Sequence, residues 1–383
     1  MKFDLHSYRF GVNYTPSRNW WYCWNDFHAD SIARDFDMVA RLGADHLRIM
    51  LIWPFFQPNR SWVSPAHLER LDVLMGLARE RNLDVCPSML TGWLSGYPFK
   101  AFFERKDSFF SSERAWAAQQ LYFRSVAEVV GGHDNFLGFD LGNEIDCCWK
   151  TDNLEEGDAW HNRMMELCHE LFPKHVHTNG LDHQPWFFPQ TFSPGNTARN
   201  QTIVALHPYS HFSGALKQTN GDVFAPASIR LLAATAALAR SYANSPTKPV
   251  WIQEYGMCEA WTEKKSIAPF LEKVTLNGIA GGATWFTWWC SHDLDPKFEF
   301  QELEYSLGLL TQDQKIKPQG EAFRRLAEAY RGRRLDKAAL ARLPFKSPPT
   351  QHDNEGTWKW LHEWLHEAVA VKTPAVALEK SAL

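Results

Sequence analysis

The chain has 383 residues, 45% of them hydrophobic, and a formal net charge of -4. This content supports a sizeable core, in one large domain or two ordinary ones. The small charge excludes the electrostatic footprint of a nucleic-acid binder or of a protein drawn to anionic membrane.

Strand-like and helix-like segments alternate along the chain. Arg9–Tyr14 reads as the first strand, followed by helix Ser31–Leu42 and, after Gly43, strand His46–Ile52. Helix Pro65–Arg81 leads to strand Asp84–Leu90, and helix Ser112–Val130, opened by Ser112 and Glu113, leads to strand Phe136–Asn143. Helix Asp158–Phe172 precedes a fifth strand at Trp186–Gln190 and a sixth at Ile203–His207. Helix Pro226–Ala243 leads to strand Val250–Glu254, and helix Glu263–Asn277 to the eighth, Ala283–Trp288. Eight strands alternating with helices predict a parallel sheet closed into a (β/α)8 TIM barrel. An open doubly wound sheet is disfavoured, because no glycine-rich phosphate loop follows Gly11-Val12-Asn13-Tyr14.

The barrel is expected to occupy residues 1–335 as one catalytic domain. Residues 336–383 then form a linker marked by Pro344, Pro348 and Pro349, and a short amphipathic helix at Thr357–Val369 carrying Trp358, Trp360 and Trp364. Packing on the barrel or on a neighbouring subunit of a homo-oligomer is the expected role of this helix.

Seven Cys are scattered without a C-x-x-C pair, and Cys147-Cys148 are adjacent, a poor chelate with no His cluster beside them. No metal and no cofactor is expected. Neither a leader-like apolar stretch at the N-terminus nor a run of membrane-spanning length occurs, so the expectation is a chain with reduced thiols in the cytoplasm, away from membranes.

Two carboxylates stand out. Glu144 ends the run Phe136–Asn143, and Glu254 ends Val250-Trp251-Ile252-Gln253. A charge at the end of a buried strand is costly unless chemistry uses it. In a barrel that chemistry gathers at the C-terminal strand ends. These ends carry Asn13, Arg48, Trp93, Asn143 with Glu144, His207, Tyr209, Glu254, and Trp285, Trp288 and Trp289, with His292 and Asp293 in the loop beyond. Trp285 alternates in facing with Trp288 and reads as core, while His175 and His177 read as a solvated loop. The 18 Trp exceed what a core needs, and indole faces suit the apolar faces of sugar rings.

This set resembles the retaining (β/α)8-barrel glycoside hydrolases, most closely glycoside hydrolase family 5, over roughly residues 8 to 330. The family's acid/base Glu preceded by Asn on strand 4 is matched by Asn143-Glu144, and its nucleophile on strand 7 by Glu254. Its Arg near strand 2 is matched by Arg48, its His-x-Tyr by His207-Pro208-Tyr209, and its strand 8 Trp by Trp288. Many members carry a His after strand 3, where this chain has Met89-Leu90-Thr91-Gly92-Trp93, so sugar contacts there are expected to be rearranged.

The resemblance implies that Glu254 attacks the anomeric carbon, held charged by Arg48 and Tyr209, while Glu144 donates a proton to the leaving oxygen. It implies a carboxyl separation of about 5–5.5 Å. Asn143 would bind the sugar 2-hydroxyl, His207 would orient Tyr209 or Glu144, and Trp288 would floor the site. The aromatic loop Pro16–Phe27 would wall off one end, with Trp20, Trp21 or Trp24 near the entrance, and His292 and Asp293 would bind a terminal sugar. The expected partner is therefore an oligosaccharide, and the expected activity an exo-acting β-mannosidase on fragments such as mannosyl-β-N-acetylglucosamine. An endo-β-mannanase or endoglucanase, a β-glucosidase and a non-catalytic sugar-binding barrel are the alternatives.

Overall fold

Parallel strands each followed by a helix organise the computed structural model, which describes residues 1–103, 107–341 and 354–370. The strands are β1 (Arg9–Asn13), β2 (His46–Met50), β3 (Asp84–Thr91), β4 (Asp140–Asn143), β5 (Thr178–Gly180), β6 (Val204–Leu206), β7 (Val250–Tyr255) and β8 (Trp285–Trp288). The helices that follow them are α1 (Ala29–Arg41), α2 (Pro65–Arg79), α3 (Glu113–Val130), α4 (Leu154–Leu171), α5 (Pro194–Asn200), α6 (Leu231–Tyr242), α7 (Lys264–Ala280) and α8 (Pro318–Tyr330). The order in the sheet is β5-β4-β3-β2-β1-β8-β7-β6. The remaining seam, β5 to β6, is bridged by the Thr202 amide donating to the His177 carbonyl and by Gln201 Oε1 accepting from the Asn179 and Ala205 amides. The result is a (β/α)8 TIM barrel.

Local chemistry explains the helix starts. Ser112 Oγ accepts from the Ala115 amide at the head of α3, and Asn153 Oδ1 accepts from the Glu156 amide at the head of α4. Pro65, Pro194 and Pro318 occupy first-turn positions where no amide is needed. In α1 the buried residues Ile32, Asp35, Phe36 and Val39 recur at helical spacing and face the sheet.

The barrel interior is filled in layers. Its lower end holds Cys86, Leu137, Val176, Ile203, Trp251 and Trp285, so Trp285 is core. Above them His46 Nε2 and Trp251 Nε1 both meet Thr287 Oγ1 at 2.7 Å. The upper end is polar, built on Arg48, Asp140, His207, Gln253 and Glu254, which faces the C-terminal strand ends.

Two sequence expectations are corrected. The fifth strand is Thr178–Gly180, and the stretch around Trp186 is instead a short helix, Gln184–Phe187, started by Pro185. The strand was hidden because its residues are small and polar. They serve the barrel interior, with Thr178 Oγ1 accepting from Gln253 and the Gly180 amide donating to Asp140. His177 is not solvated: it is buried, with Nδ1 accepting from the Phe139 amide and Nε2 donating to the Phe172 carbonyl.

The C-terminal helix Asn354–Ala370 lies against the barrel. Trp358 stacks on Phe187 with centroids 5.3 Å apart and planes 8° from parallel, and Trp360, Leu361 and Trp364 are buried. Pro344, Pro348 and Pro349 lie outside the described residues. The seven cysteines are free. Among the described residues no helix is long and apolar enough to cross a membrane.

Candidate active site

One guanidinium organises the upper end of the barrel. Arg48 on β2 is fully buried, and its Nε and Nη2 donate to Asp140 Oδ2 at 2.9 and 2.8 Å. Its Nη1 reaches Asn13 Oδ1 at 3.0 Å and Glu254 Oε1 at 2.5 Å, and Nη2 reaches Asn143 Oδ1 at 2.8 Å. Burial disfavours the arginine charge, but the Asp140 and Glu254 charges outweigh it and raise its pKa. Gly180 is required beside this network, because a Cβ there would come within 2.6 Å of Gln253 Oε1 and 2.7 Å of Arg48 Nη2.

Glu254 has 5% of its side chain exposed, and its second oxygen accepts from the Tyr209 hydroxyl at 2.9 Å. Glu144 follows β4 in the left-handed region, φ 47°, and its amide donates to the Gly180 carbonyl. A bulky residue held at positive φ stores strain, which recurs at functional sites. The Glu144 side chain is 14% exposed and meets His207 Nδ1 at 3.0 Å. His207 Nε2 lies 3.1 Å from Gln253 Oε1, whose own amide nitrogen donates to Thr178.

The two glutamates sit in different environments. Burial pushes the Glu144 carboxyl up to about 7, against the His207 hydrogen bond and with help from the Asp182 and Glu254 charges. Burial alone would keep His207 neutral, but the Glu254 charge and the bond to Glu144 push it up to about 9. Nε2 of His207 faces an amide oxygen and so carries a proton, and Nδ1 shares a further hydrogen bond with Glu144 Oε1. Glu254, bonded to Arg48 and Tyr209, is arranged as an acceptor. One oxygen from each glutamate and a His207 nitrogen lie within 4.8 Å of one another. A cation could sit among such groups in principle. Here Arg48 already supplies the positive charge, and both His207 nitrogens are engaged.

A pocket of about 430 Å³ opens above these residues. Glu144, Asn143, Glu254 and Tyr209 line it on one side, Trp93, Leu94, Ser95 and Gly96 on another, and Trp289, Gln301, Leu303, Glu304 and Leu307 close it. Phe212 and Trp261 stand at its rim, with Trp261 stacked on His211 at 4.6 Å.

Similar proteins are found among solved structures. GH5_18 from Streptomyces cattleya, solved as a variant in complex with Manb1-4GlcNAc, is 30% identical with a TM-score of 0.86, covering 96% of this chain and 93% of that one. The chain belongs to glycoside hydrolase family 5. GH5_18 from Bifidobacterium longum subsp. infantis is 25% identical with a TM-score of 0.80, covering 87% of this chain and 86% of its own. The exo-beta-1,4-mannosidase from Opitutaceae bacterium strain TAV5 shares the fold at 24% identity and a TM-score of 0.74, over 86% of this chain and 61% of that one. No family model matches the chain, and no curated protein sequence matches it.

Family 5 membership makes the chain a glycosidase, and the structure sorts the residues singled out in its sequence. Glu144, Glu254, Asn143, Tyr209 and Trp93 line the pocket. Trp93 is 37% exposed, and its carbonyl accepts from Asn143 Nδ2. Arg48 and His207 lie directly beneath and act on the glutamates. The other residues do not reach the pocket. Asn13 is buried under Arg48, donating to the Gln253 carbonyl. Trp288 is fully buried with Nε1 on the Leu307 carbonyl, and the indole that lines the pocket is the next one, Trp289. Trp20 is buried edge-on against Trp289, 6.0 Å away, and supports it from behind. Asp293 is paired with Lys317 at 2.7 Å, and His292 hydrogen-bonds Ser291 and Gln314, so both hold the β8 loop together.

Residues missed in the sequence include Ser95, Glu304 and the carboxyl pair Asp146 and Asp182 behind Glu144, while Trp289, noted at the strand end, takes the place expected of Trp288. Asp146 is pushed up to about 7 by burial and by the Asp182 and Glu144 charges. None carries a motif; Trp289 alone had a signal, as the second of two adjacent Trp at a strand end.

The Glu144 environment predicts the pH profile of this family 5 enzyme. Glu144 must be protonated to act as an acid, and that form is lost as pH rises through about 7. Plots of kcat/KM against pH for a substrate with a poor leaving group should therefore fall above about pH 7, about tenfold per unit. A rate flat to pH 9 would exclude Glu144 as the acid.

Proposed function

We propose that the protein is a retaining exo-β-mannosidase acting on short oligosaccharides such as mannosyl-β-1,4-N-acetylglucosamine. The observation that supports the mechanism is that one oxygen of Glu144 and one of Glu254 lie within 4.8 Å of each other. Inverting pairs stand about 6.5–9.5 Å apart to admit a water, and retaining pairs about 5–5.5 Å. In the first step Glu254 forms a bond to the anomeric carbon as the glycosidic bond breaks, and Glu144 gives its proton to the departing oxygen. In the second step Glu144 takes a proton from water, whose oxygen replaces Glu254 on the anomeric carbon. The sugar leaves with its original configuration.

Exo action is supported by an aromatic cluster beside the pocket. Trp21 packs edge-on against Tyr97, Phe99 and Phe300 with centroids 5.3, 4.9 and 4.4 Å away. The cluster joins the loop after β1, the hairpin Trp93–Pro98 and the loop after β8, next to the pocket-lining Gly96 and Gln301, and we infer that it limits the site to one sugar behind the scissile bond. Phe212 and Trp261 at the rim offer stacking surfaces to the second sugar. Mannose is supported by the Manb1-4GlcNAc held by the Streptomyces cattleya protein. The free thiols fit a reducing compartment, and we place the enzyme in the cytoplasm.

The test is release of mannose from 4-nitrophenyl β-mannoside and from the disaccharide, with the first-formed anomer read by NMR. β-Mannose as the first product, with no viscosity loss on soluble mannan, is expected. A first-formed α-anomer would overturn the retaining mechanism. Faster turnover of the matching glucoside would overturn the sugar assignment.

A further inference from the structure

Glu304 is a buried carboxylate that the chemistry above does not use. It sits on the single turn Glu302–Tyr305 in the loop after β8, is 2% exposed, and lines the pocket. Its Oε2 accepts from Trp289 Nε1 at 3.2 Å. Among the described residues no cation acts on its carboxyl, and the neighbouring ammonium of Lys317 is engaged by Asp293. Burial pushes it up to about 7, against the Ser95 and Trp289 hydrogen-bond donors and with the Glu254 charge adding to the rise.

Ser95 stands on the same wall. It is 8% exposed, lines the pocket, and its hydroxyl is a second donor to Glu304 beside the Trp289 indole. It stands at φ 50° beside Gly96 at φ 87°, so the hairpin turns with both central residues left-handed. A Cβ on Gly96 would lie 2.2 Å from Gln301 Nε2, so the hairpin tip is pressed against the segment that carries Glu304. A buried carboxyl held by one hydroxyl and one indole, with no cation beside it among the described residues, keeps spare acceptor positions on the pocket wall. Sugar hydroxyls would fill them.

We propose that Glu304 is the residue that recognises the terminal sugar on this wall of the pocket, accepting hydrogen bonds from ring hydroxyls remote from the anomeric carbon, with Ser95 as a second contact. This rests on the exo-glycosidase reading. If Glu304 served only to pin Trp289, a glutamine would do as well, because its carbonyl oxygen can accept from the indole. The charge matters only if it is used on the substrate, where charge-assisted hydrogen bonds are about twice as strong as neutral ones.

The experiment compares wild type, Glu304→Gln and Ser95→Ala on aryl β-mannoside and its 3-, 4- and 6-deoxy analogues. For wild type, at least one deoxy analogue should lose about 100-fold in kcat/KM, since sites built to bind a hydroxyl reject the analogue lacking it. Glu304→Gln should lose about as much on the parent, keep its thermal midpoint, and discriminate parent from that analogue less than tenfold. Ser95→Ala should lose about tenfold. Full discrimination retained by Glu304→Gln, whatever its rate, overturns the proposal, as does a wild type indifferent to all three deletions. That second arm needs no variant to fold. If the enzyme prefers glucosides, the same series is run in that configuration. A wild type inactive on every aryl β-glycoside withdraws the glycosidase reading itself, an outcome visible before any variant is made.

Discussion

Glu254→Gln should leave a folded protein whose kcat is lowered about 10^5-fold, the scale seen when the nucleophile is removed from groups that act as a unit. The substitution is nearly isosteric. Arg48 Nη1 can still donate to the amide oxygen, and the Tyr209 hydroxyl can accept from the amide nitrogen instead of donating to Glu254 Oε2. What disappears, on the proposed mechanism, is the electron pair that attacks the anomeric carbon. Glu254→Ala adds a diagnostic, because azide can enter the vacated space on the same side of the sugar. It forms a carbon–nitrogen bond as the aglycone leaves with the Glu144 proton, and the product from a β-glycoside is the α-glycosyl azide. The same treatment of Glu144→Ala should yield the β-azide, since azide then replaces water in the second step. Rates and product anomers from both variants, read by NMR, check the assignment. Residual activity of Glu254→Gln above one part in a hundred, or a β-azide from Glu254→Ala, would reverse the roles.

The parts of this site legible in the sequence are those whose chemistry contradicts their setting. An acid closing an apolar strand, as at Glu144 and Glu254, is visible because ordinary cores exclude it. An arginine within Leu47-Arg48-Ile49 is visible for the same reason, and the structure brings all three together around one pocket. The barrel was legible from alternation, except where a strand serves the polar interior: Thr178–Gly180 has no apolar run to announce it. Trp288 and Trp289 show a different limit. Adjacent residues on a strand point to opposite faces, and β8 pairs irregularly with β7 between Phe286 and Trp288. One position of register then decides which indole lines the pocket. Asp293 looked like a sugar ligand because it follows the strand end, but Lys317 arrives from 24 residues away and pairs with it. Glu304 was illegible for the opposite reason. It lies among Glu299, Glu302 and other charges of a surface-like segment, and only the fold turns it inward.

Arg48→Met should be among the most damaging single changes in the molecule, costing about 3–5 kcal/mol of stability, the range for removing one partner of a buried ion pair. Arg48 is the common donor to Asp140, Asn13, Asn143 and Glu254, and so ties β2 to β1, β4 and β7. Without it, Asp140 and Glu254 lose the guanidinium that they share, and the Asn143 and Asn13 amide oxygens lose their donor. Activity should fall with stability, because Glu254 would keep the Tyr209 hydroxyl and His207 at 3.6 Å but lose the guanidinium that fixes its first oxygen. Arg48→Lys separates charge from shape. An ammonium retains the charge but cannot span Asp140 and Glu254 in the planar fork that the guanidinium provides. It should therefore recover part of the thermal midpoint and little of kcat. Melting curves and kcat for both variants, each on the same β-mannoside, test this division. Full activity in Arg48→Lys would mean that the cation neutralises Glu254 without positioning it.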